Sequence, residues 1–251
     1  MSIHSVGQKL YGLLSKSFKY EVVRWAKRKL RPLKHMLVGK EGIYRAIDMI
    51  KELEHKGGRE TLTVFDIGAA DGEYALTFLN SFPKATVYCF EPQSRSYAKL
   101  KKRIVTYKDR ARPFQLGFYN KGGDMTFHLM SYPDSSSLLP LPPWNQKVIG
   151  TETVPIARLD DFTREKNISR IDFMKIDVES TEREVVEGGA ETLTKKVDNL
   201  YIEIALSRKG VYSSNYLEVL KLINSAGFTL VEVITSGEAS DFLFSKLVKR
   251  V

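Results

Sequence analysis

The sequence predicts an α/β protein: a mostly parallel β-sheet with helices on both faces, closed by an antiparallel edge pair and preceded by a basic helical extension. Three observations lead there. Short apolar runs of strand length alternate with helical apolar periodicities along most of the chain. The first such run (Leu62, Val64, Phe65, Ile67) is followed by a Gly/Ala/Asp cluster and then the helical pattern Tyr74, Leu76, Phe78, Leu79, so strand, turn and helix fit within Thr61 to Tyr74. The last two runs, T-L-V-E-V-I and F-L-F-S-K-L, are separated only by Thr235 to Ser240, too short for a crossover and suited to an antiparallel pair.

Taken in order, residues 4–31 read as a helix with Val6, Leu10, Leu13, Leu14, Phe18, Val22 and Trp25 on the apolar side, interrupted at Pro32. A second helix carries Ile43, Ile47, Ile50 and Leu53 in register before the Gly57-Gly58 hinge, so residues 1–58 form the extension and 59–251 the main domain. Ala85 to Pro92 is the second strand. Ser94 is placed to cap a helix bearing Tyr97, Leu100 and Ile104. R-P-F-Q-L-G-F-Y reads as the third strand and Asn120 to Asp124 as a turn leading to M-T-F-H-L-M, a hairpin. Ser131 to Gly150 is irregular and rich in serine and proline, as a lid or binding loop would be, so residues 119–157 read as an insertion of hairpin and loop. T-V-P-I-A-R-L-D-D-F gives a short strand and a helix start. Ile171 to Val178 is the fourth strand, and the helix after it bends or ends near Gly188-Gly189. Leu200 to Ala205 is the fifth strand and Asn215 to Ala226 the last helix.

Composition narrows the function classes. At 251 residues with 43% hydrophobic content the chain can bury a full core. One cysteine, Cys89, leaves no disulfide framework and no zinc cluster, and points to a reducing, cytoplasmic setting. No apolar run reaches the roughly 18 residues of a membrane span. The net charge of +9 belongs entirely to residues 1–40, which hold ten Lys/Arg and one acid, leaving 29 of each sign in the remainder. Two readings of that basic segment stand: a helix packing its apolar stripe on the domain or on a second subunit, or a peripheral helix on anionic lipid at the inner face of a membrane.

The glycine turn selects the ligand. A dinucleotide fingerprint needs G-x-G-x-x-G, but Gly68 is followed by Ala70 and Glu73; a P-loop needs Lys after its last glycine, and Glu73 follows Gly72. What remains is Asp66-x-Gly68-x-x-x-Gly72 with Asp71, whose carboxylates repel a pyrophosphate and favour a cationic ligand. This resembles the first motif of class I S-adenosylmethionine-dependent methyltransferases. Glu91, 25 positions after Asp66 and at the tip of the second strand, is placed to accept hydrogen bonds from ribose hydroxyls. The backbone at Gly117 and Phe118 is where an adenine would be held.

Ligands in open α/β sheets lie beyond the carboxyl ends of the strands, which gathers Asp66, Glu91, Asp177, Glu179 and Glu203 at one rim. Methyl transfer to a hydroxyl requires in-line approach and a base. Asp177 and Glu179 are the first candidates, for the base and for orienting the acceptor, and Glu203 the third; one of them can instead cap a helix or hold a lysine such as Lys175. His128, in a hairpin strand, suits a structural role.

T-V-F-D-I-G-A-A-D-G, F-E-P, the serines at 135 to 137, R-L-D-D-F and K-I-D-V-E-S-T-E with G-G-A ten residues on resemble the FkbM-type methyltransferase family across about residues 60 to 205. The resemblance implies a Rossmann-like class I methyltransferase sheet and an O-methyltransferase acting on sugar, glycan or secondary-metabolite hydroxyls. It implies that Asp66, Gly68, Ala69, Gly72 and Glu91, with Asp71, Gly117 and Phe118 beside them, hold S-adenosylmethionine. Asp177 and Glu179 would face the acceptor, with Ser135, Ser136 and Trp144 of the loop as substrate contacts. A divalent metal is not expected, although the rim carboxylates are able to hold one. Two positions depart from the family pattern: Ala70, often polar, and Ser180, usually Gly. The rival functions are a nucleic-acid methyltransferase guided by the basic arm and a non-catalytic partner protein. Asp-Val-Glu-Ser after the fourth strand, in place of an Asn/Asp-Pro-Pro-aromatic tetrad, argues against the first, and intact rim carboxylates against the second.

Overall fold

A computed structural model describes residues 44–51, 61–132, 135–140, 146–205, 216–235 and 239–247. The basic helix at 4–31, the Gly57-Gly58 hinge and Trp144 lie outside these residues. The chain divides into two compact units, residues 1–44 and 45–251, and the β-sheets belong to the second.

Helix α1 is the segment to residue 51, and its apolar register places Ala46, Ile47 and Ile50 in the interior. Strand β1 (Leu62–Ile67) and helix α2 (Glu73–Ser81) are the predicted first unit, followed by β2 (Ala85–Phe90) and α3 (Ser94–Ile104). The α3 N-cap is Gln93, one residue before the Ser94 expected there, and the Ser94 N–H is met instead by Glu152 Oε1 at 2.9 Å. A 3-10 segment, Val105–Arg110, leads into β3 (Ala111–Phe114), then β4 (Gly117–Phe118), β5 (Gly123–Met130) and β6 (Val148–Ala157). Helix α4 (Leu159–Glu165), β7 (Ile171–Ile176), α5 (Glu182–Gly188), α6 (Ala190–Lys195), β8 (Val197–Ala205), α7 (Tyr216–Ser225), β9 (Thr229–Thr235) and β10 (Ala239–Ser245) complete the unit. The predicted break at Gly188-Gly189 is the α5–α6 junction.

Seven strands form the main sheet in the order β3-β2-β1-β7-β8-β10-β9. The pairs from β3 to β8 are parallel, and β10 runs antiparallel to both β8 and β9, the predicted edge pair. One face packs α4 to α7 against Phe65, Ile67, Met174, Ile176, Leu200 and Ile202 through Phe162, Val186, Leu193 and Ile223. The other face takes α2, whose Phe78 ring lies 4.9 Å from that of Phe173.

The single third strand expected at residues 112–119 is two strands in two sheets. β3 ends at Phe114 on the edge of the main sheet, where Pro113 needs no partner for its missing N–H on the outer side. The chain then leaves the sheet, and β4 pairs with β6 in a separate sheet of order β4-β6-β5. The hairpin is therefore β5 with β6, antiparallel from Gly123↔Ile156 to Met130↔Val148, and not the third strand with residues 125–130. Phe118 fixes this small sheet to the main core, with ring centroids 4.8 Å from Phe90 and 5.6 Å from Phe162. Among the described residues no helix is long and apolar enough to cross a membrane.

Candidate active site

The β1 exit turns through three left-handed residues, Gly68 (φ 77), Ala70 (φ 46) and Gly72 (φ 88), and Gly72 is the N-cap of α2. The turn is tied to β2: the N–H groups of Gly68 and Ala69 both donate to the Phe90 carbonyl, at 3.0 and 2.9 Å. At Gly68 the backbone approach is so close that a Cβ would stand 1.8 Å from the Asp177 carbonyl oxygen. That glycine is required by position as well as by φ.

Glu91, just past β2, accepts the Ala70 N–H on Oε2 at 2.9 Å and the Gln93 N–H on Oε1 at 2.8 Å. Burial raises its pKa to about 7, against the pull of those two amides. Each oxygen retains a lone pair for a further donor.

A cavity of about 250 Å³ opens above these strand ends. Of the residues singled out in the sequence, Gly68, Ala69, Asp71, Glu91, Gly117, Phe118, Ser136, Asp177, Glu179 and Glu203 line it. Asp66 does not; it is fully buried beneath, beside Lys175. Gly72 stands behind the turn against Leu100, and Asp71 is paired with Arg103 at 2.8 Å. Ser135 is buried in the loop, its Oγ accepting from Gln146 at 2.9 Å. The small sheet supplies a wall through Phe127, and the serine loop adds Leu138.

On the side of the Gly68 turn away from β2 the rim is the β7 exit. Glu179 (φ 56) and Ser180 (φ 82) are consecutive left-handed residues, so the side chain at position 180 sits where glycine is the unstrained choice. Ser137 Oγ donates to the Glu179 carbonyl at 2.6 Å and pins the loop to this exit. One carboxylate oxygen from each of Asp177, Glu179 and Glu203 lies within 4.8 Å of the others. Burial and then the neighbouring Asp177 and Glu179 push Glu203 well above the usual carboxylate range.

Sequence reasoning missed Gln93, gave Ser137 no role of its own and gave Lys175 only as a partner for a carboxylate. A lysine in the apolar strand I-D-F-M-K-I was the available signal, because a buried ammonium requires acids around it. Here Lys175 is 1% exposed and lies 3.1 Å from Asp177. His128 N–H and C=O pair with Ser137, a structural role for that strand position.

Six carboxylates (Asp71, Glu73, Glu91, Asp177, Glu179, Glu203) and one cation, Lys175, are the charged side chains among the described residues that line the cavity. Such a lining excludes phosphate-rich ligands and favours a cationic one.

Comparison with known proteins gives the family. Residues 66–230 match the methyltransferase FkbM domain. The chain is 33% identical over 144 residues to the 2-O-methyltransferase NoeI of Sinorhizobium fredii, covering 53% of this chain and 59% of NoeI. It is 28% identical over 198 residues to the 31-O-demethyl-FK506 methyltransferase FkbM of Streptomyces tacrolimicus, covering 67% and 73% of the two chains. The crystal structure of methyltransferase FkbM from Methylobacillus flagellatus superposes with a TM-score of 0.52 at 16% identity, over 74% of this chain and 44% of that one. The match thus spans less than two thirds of NoeI and of the Methylobacillus chain, and the structural likeness establishes the Rossmann-like class I methyltransferase fold. With the family match extending from the Asp66 turn through β7 and β8 to β9, the chain belongs to the FkbM-type methyltransferase family.

Proposed function

We propose that this chain is an S-adenosylmethionine-dependent O-methyltransferase whose acceptor is a hydroxyl of a sugar, glycan or secondary metabolite. The observation that carries the reading is one cavity equipped differently on the two sides of the Gly68 turn: Glu91 at the β2 exit on one side, and the Asp177, Glu179, Glu203 rim at the β7 and β8 exits on the other. The residues fit the cofactor. Glu91 is fixed by two amides with lone pairs free for ribose hydroxyls, and the lining has the sign that suits a sulfonium. S-adenosylmethionine supplies an electrophilic methyl group on sulfur and leaves as S-adenosylhomocysteine.

The protein's part is positioning and proton management. Gly117 and Phe118 wall the side next to Glu91, where the adenine would lie, and Ser136 and Leu138 bring the loop over the cleft. The acceptor hydroxyl would lie at the rim, where a carboxylate would take its proton as the oxygen attacks. Asp177, Glu179 and Glu203 are the groups within reach of that task, and a divalent ion is not needed for it. The names of NoeI and the Streptomyces enzyme, both for O-methyl transfer, support a hydroxyl acceptor. The test is methyl transfer from labelled S-adenosylmethionine to a panel of glycan and polyketide alcohols. Product that is lost in Glu91→Ala supports the reading; binding of the cofactor with no transfer to any alcohol, but transfer to amines or nucleic acid, refutes the acceptor class.

A further inference from the structure

Lys175 is a cation inserted between two aspartates at the cavity floor. Strand register puts Asp66 and Lys175 side by side on the adjacent parallel strands β1 and β7, on the sheet face that α2 covers. The ammonium lies 3.4 Å from Asp66 Oδ1 and 3.1 Å from Asp177 Oδ2, and donates to the Gly68 carbonyl at 3.1 Å. The Tyr74 ring of α2 covers it, with its centroid 4.6 Å from Nζ. Asp66 is wholly buried, and this ammonium is the countercharge it faces. Burial works against the charge on Lys175, but Asp177 and Asp66 outweigh it and keep the side chain protonated.

We propose that Lys175 is the positioning residue of the cofactor site: it locks the Gly68 turn of β1 to the β7 exit and commits Asp177 as a fixed anion. This rests on the reading that the cleft binds S-adenosylmethionine. Asp66 then acts on the cofactor only through Lys175, since its carboxylate does not reach the cavity. Asp177, already ion-paired, is not the proton acceptor, which leaves that role to Glu179 or Glu203 beside it.

The experiment is isothermal titration of S-adenosylhomocysteine into wild type, Lys175→Met, Lys175→Ala and the double variant Asp66→Asn/Lys175→Met, each with a thermal melt. The double variant removes both buried charges at near-constant volume, so it keeps the test open if Lys175→Met alone fails to fold. Expected are wild-type binding, at least about tenfold weaker binding in each folded variant, and partial recovery for Lys175→Ala with millimolar ethylammonium but not with sodium chloride. A folded double variant that binds within about twofold of wild type overturns the proposal. So does recovery of Lys175→Ala by sodium chloride as well as by the amine, which would make the effect a general ionic one. Wild-type protein that melts cooperatively yet binds no S-adenosylhomocysteine overturns the cofactor reading itself, and the proposal with it.

Discussion

Substituting Gly68 by alanine perturbs the point where fold and site coincide. The new Cβ would stand 1.8 Å from the Asp177 carbonyl oxygen, whereas a carbon and a carbonyl oxygen come no closer than about 3.3 Å. The β1 and β7 exits would therefore have to part by roughly 1.5 Å. That movement breaks the Asp177 N–H bond to the Ile67 carbonyl (3.1 Å) and lengthens the Lys175 contact to the Gly68 carbonyl (3.1 Å). The lost backbone bond is worth about 1 kcal/mol. The left-handed φ of 77 costs an alanine about another 1. Overpacking against a rigid backbone adds about 1–3. A total of about 3–5 kcal/mol lowers the Tm of a chain this size by roughly 6–20 °C. Scanning fluorimetry measures that shift, and titration with S-adenosylhomocysteine at a temperature where the variant is folded should show at least about tenfold weaker binding. Melting within about 2 °C of wild type together with unchanged affinity would refute the close approach of the two strand exits, and with it the geometry of the site.

Ser180→Gly should raise Tm by about 1–4 °C, because relief of the strain at φ 82 exceeds the added chain entropy of glycine; a lower Tm would mean that the contacts of the serine side chain outweigh the strain. Ser137→Ala removes the hydroxyl that donates to the Glu179 carbonyl at 2.6 Å and accepts from the Leu139 N–H at 3.2 Å, and should cost about 1–2 kcal/mol in chemical denaturation. Glu91 titrates at about 7 in the folded protein against 4.5 ordinarily, so the folded state holds the extra proton between those values and its contribution to stability falls as pH rises from 4.5 to 7. Affinity for S-adenosylhomocysteine should run the other way, rising with pH up to about 7 and levelling above it, because ribose hydroxyls donate to the ionised carboxylate. Glu91→Gln should flatten both profiles, and a pH-independent affinity in wild type would remove Glu91 from the ribose site. Dialysis against EDTA should leave that affinity unchanged.

What could be read from the chain was local. The strand, the Gly68–Gly72 turn and the start of α2 lie within one short segment, and the demand for positive φ at both glycines is written in the residue types. The β9–β10 pair was legible for the same reason, a loop too short to cross the sheet. Residues 111–118 were not, because nothing between Phe114 and Gly117 signals that the partner changes from β2 to β6, nearly forty residues downstream. β6 starts at Val148, inside the stretch to Gly150 that reads as irregular and ahead of the T-V-P-I-A expected as a short strand; the small sheet accommodates both Gly150 and Pro155. At the site, the residue types at the strand tips identified Glu91, Asp177, Glu179 and Glu203. Their division of labour depends on register: Asp66 is withdrawn from the cavity because Lys175 is its neighbour across β1 and β7, a pairing of residues far apart in the chain. The role of Ser137 escaped notice because a hydroxyl reaching the Glu179 carbonyl depends on how the loop folds back.

The measurement that tests the central claim most directly is calorimetric titration of the wild-type protein with S-adenosylhomocysteine, with a melt of the same sample to show that it is folded. A single site with Kd at or below about 10 μM, weakened at least tenfold by Glu91→Ala, is the predicted result. Folded protein that gives no binding heat and no thermal stabilisation would contradict it.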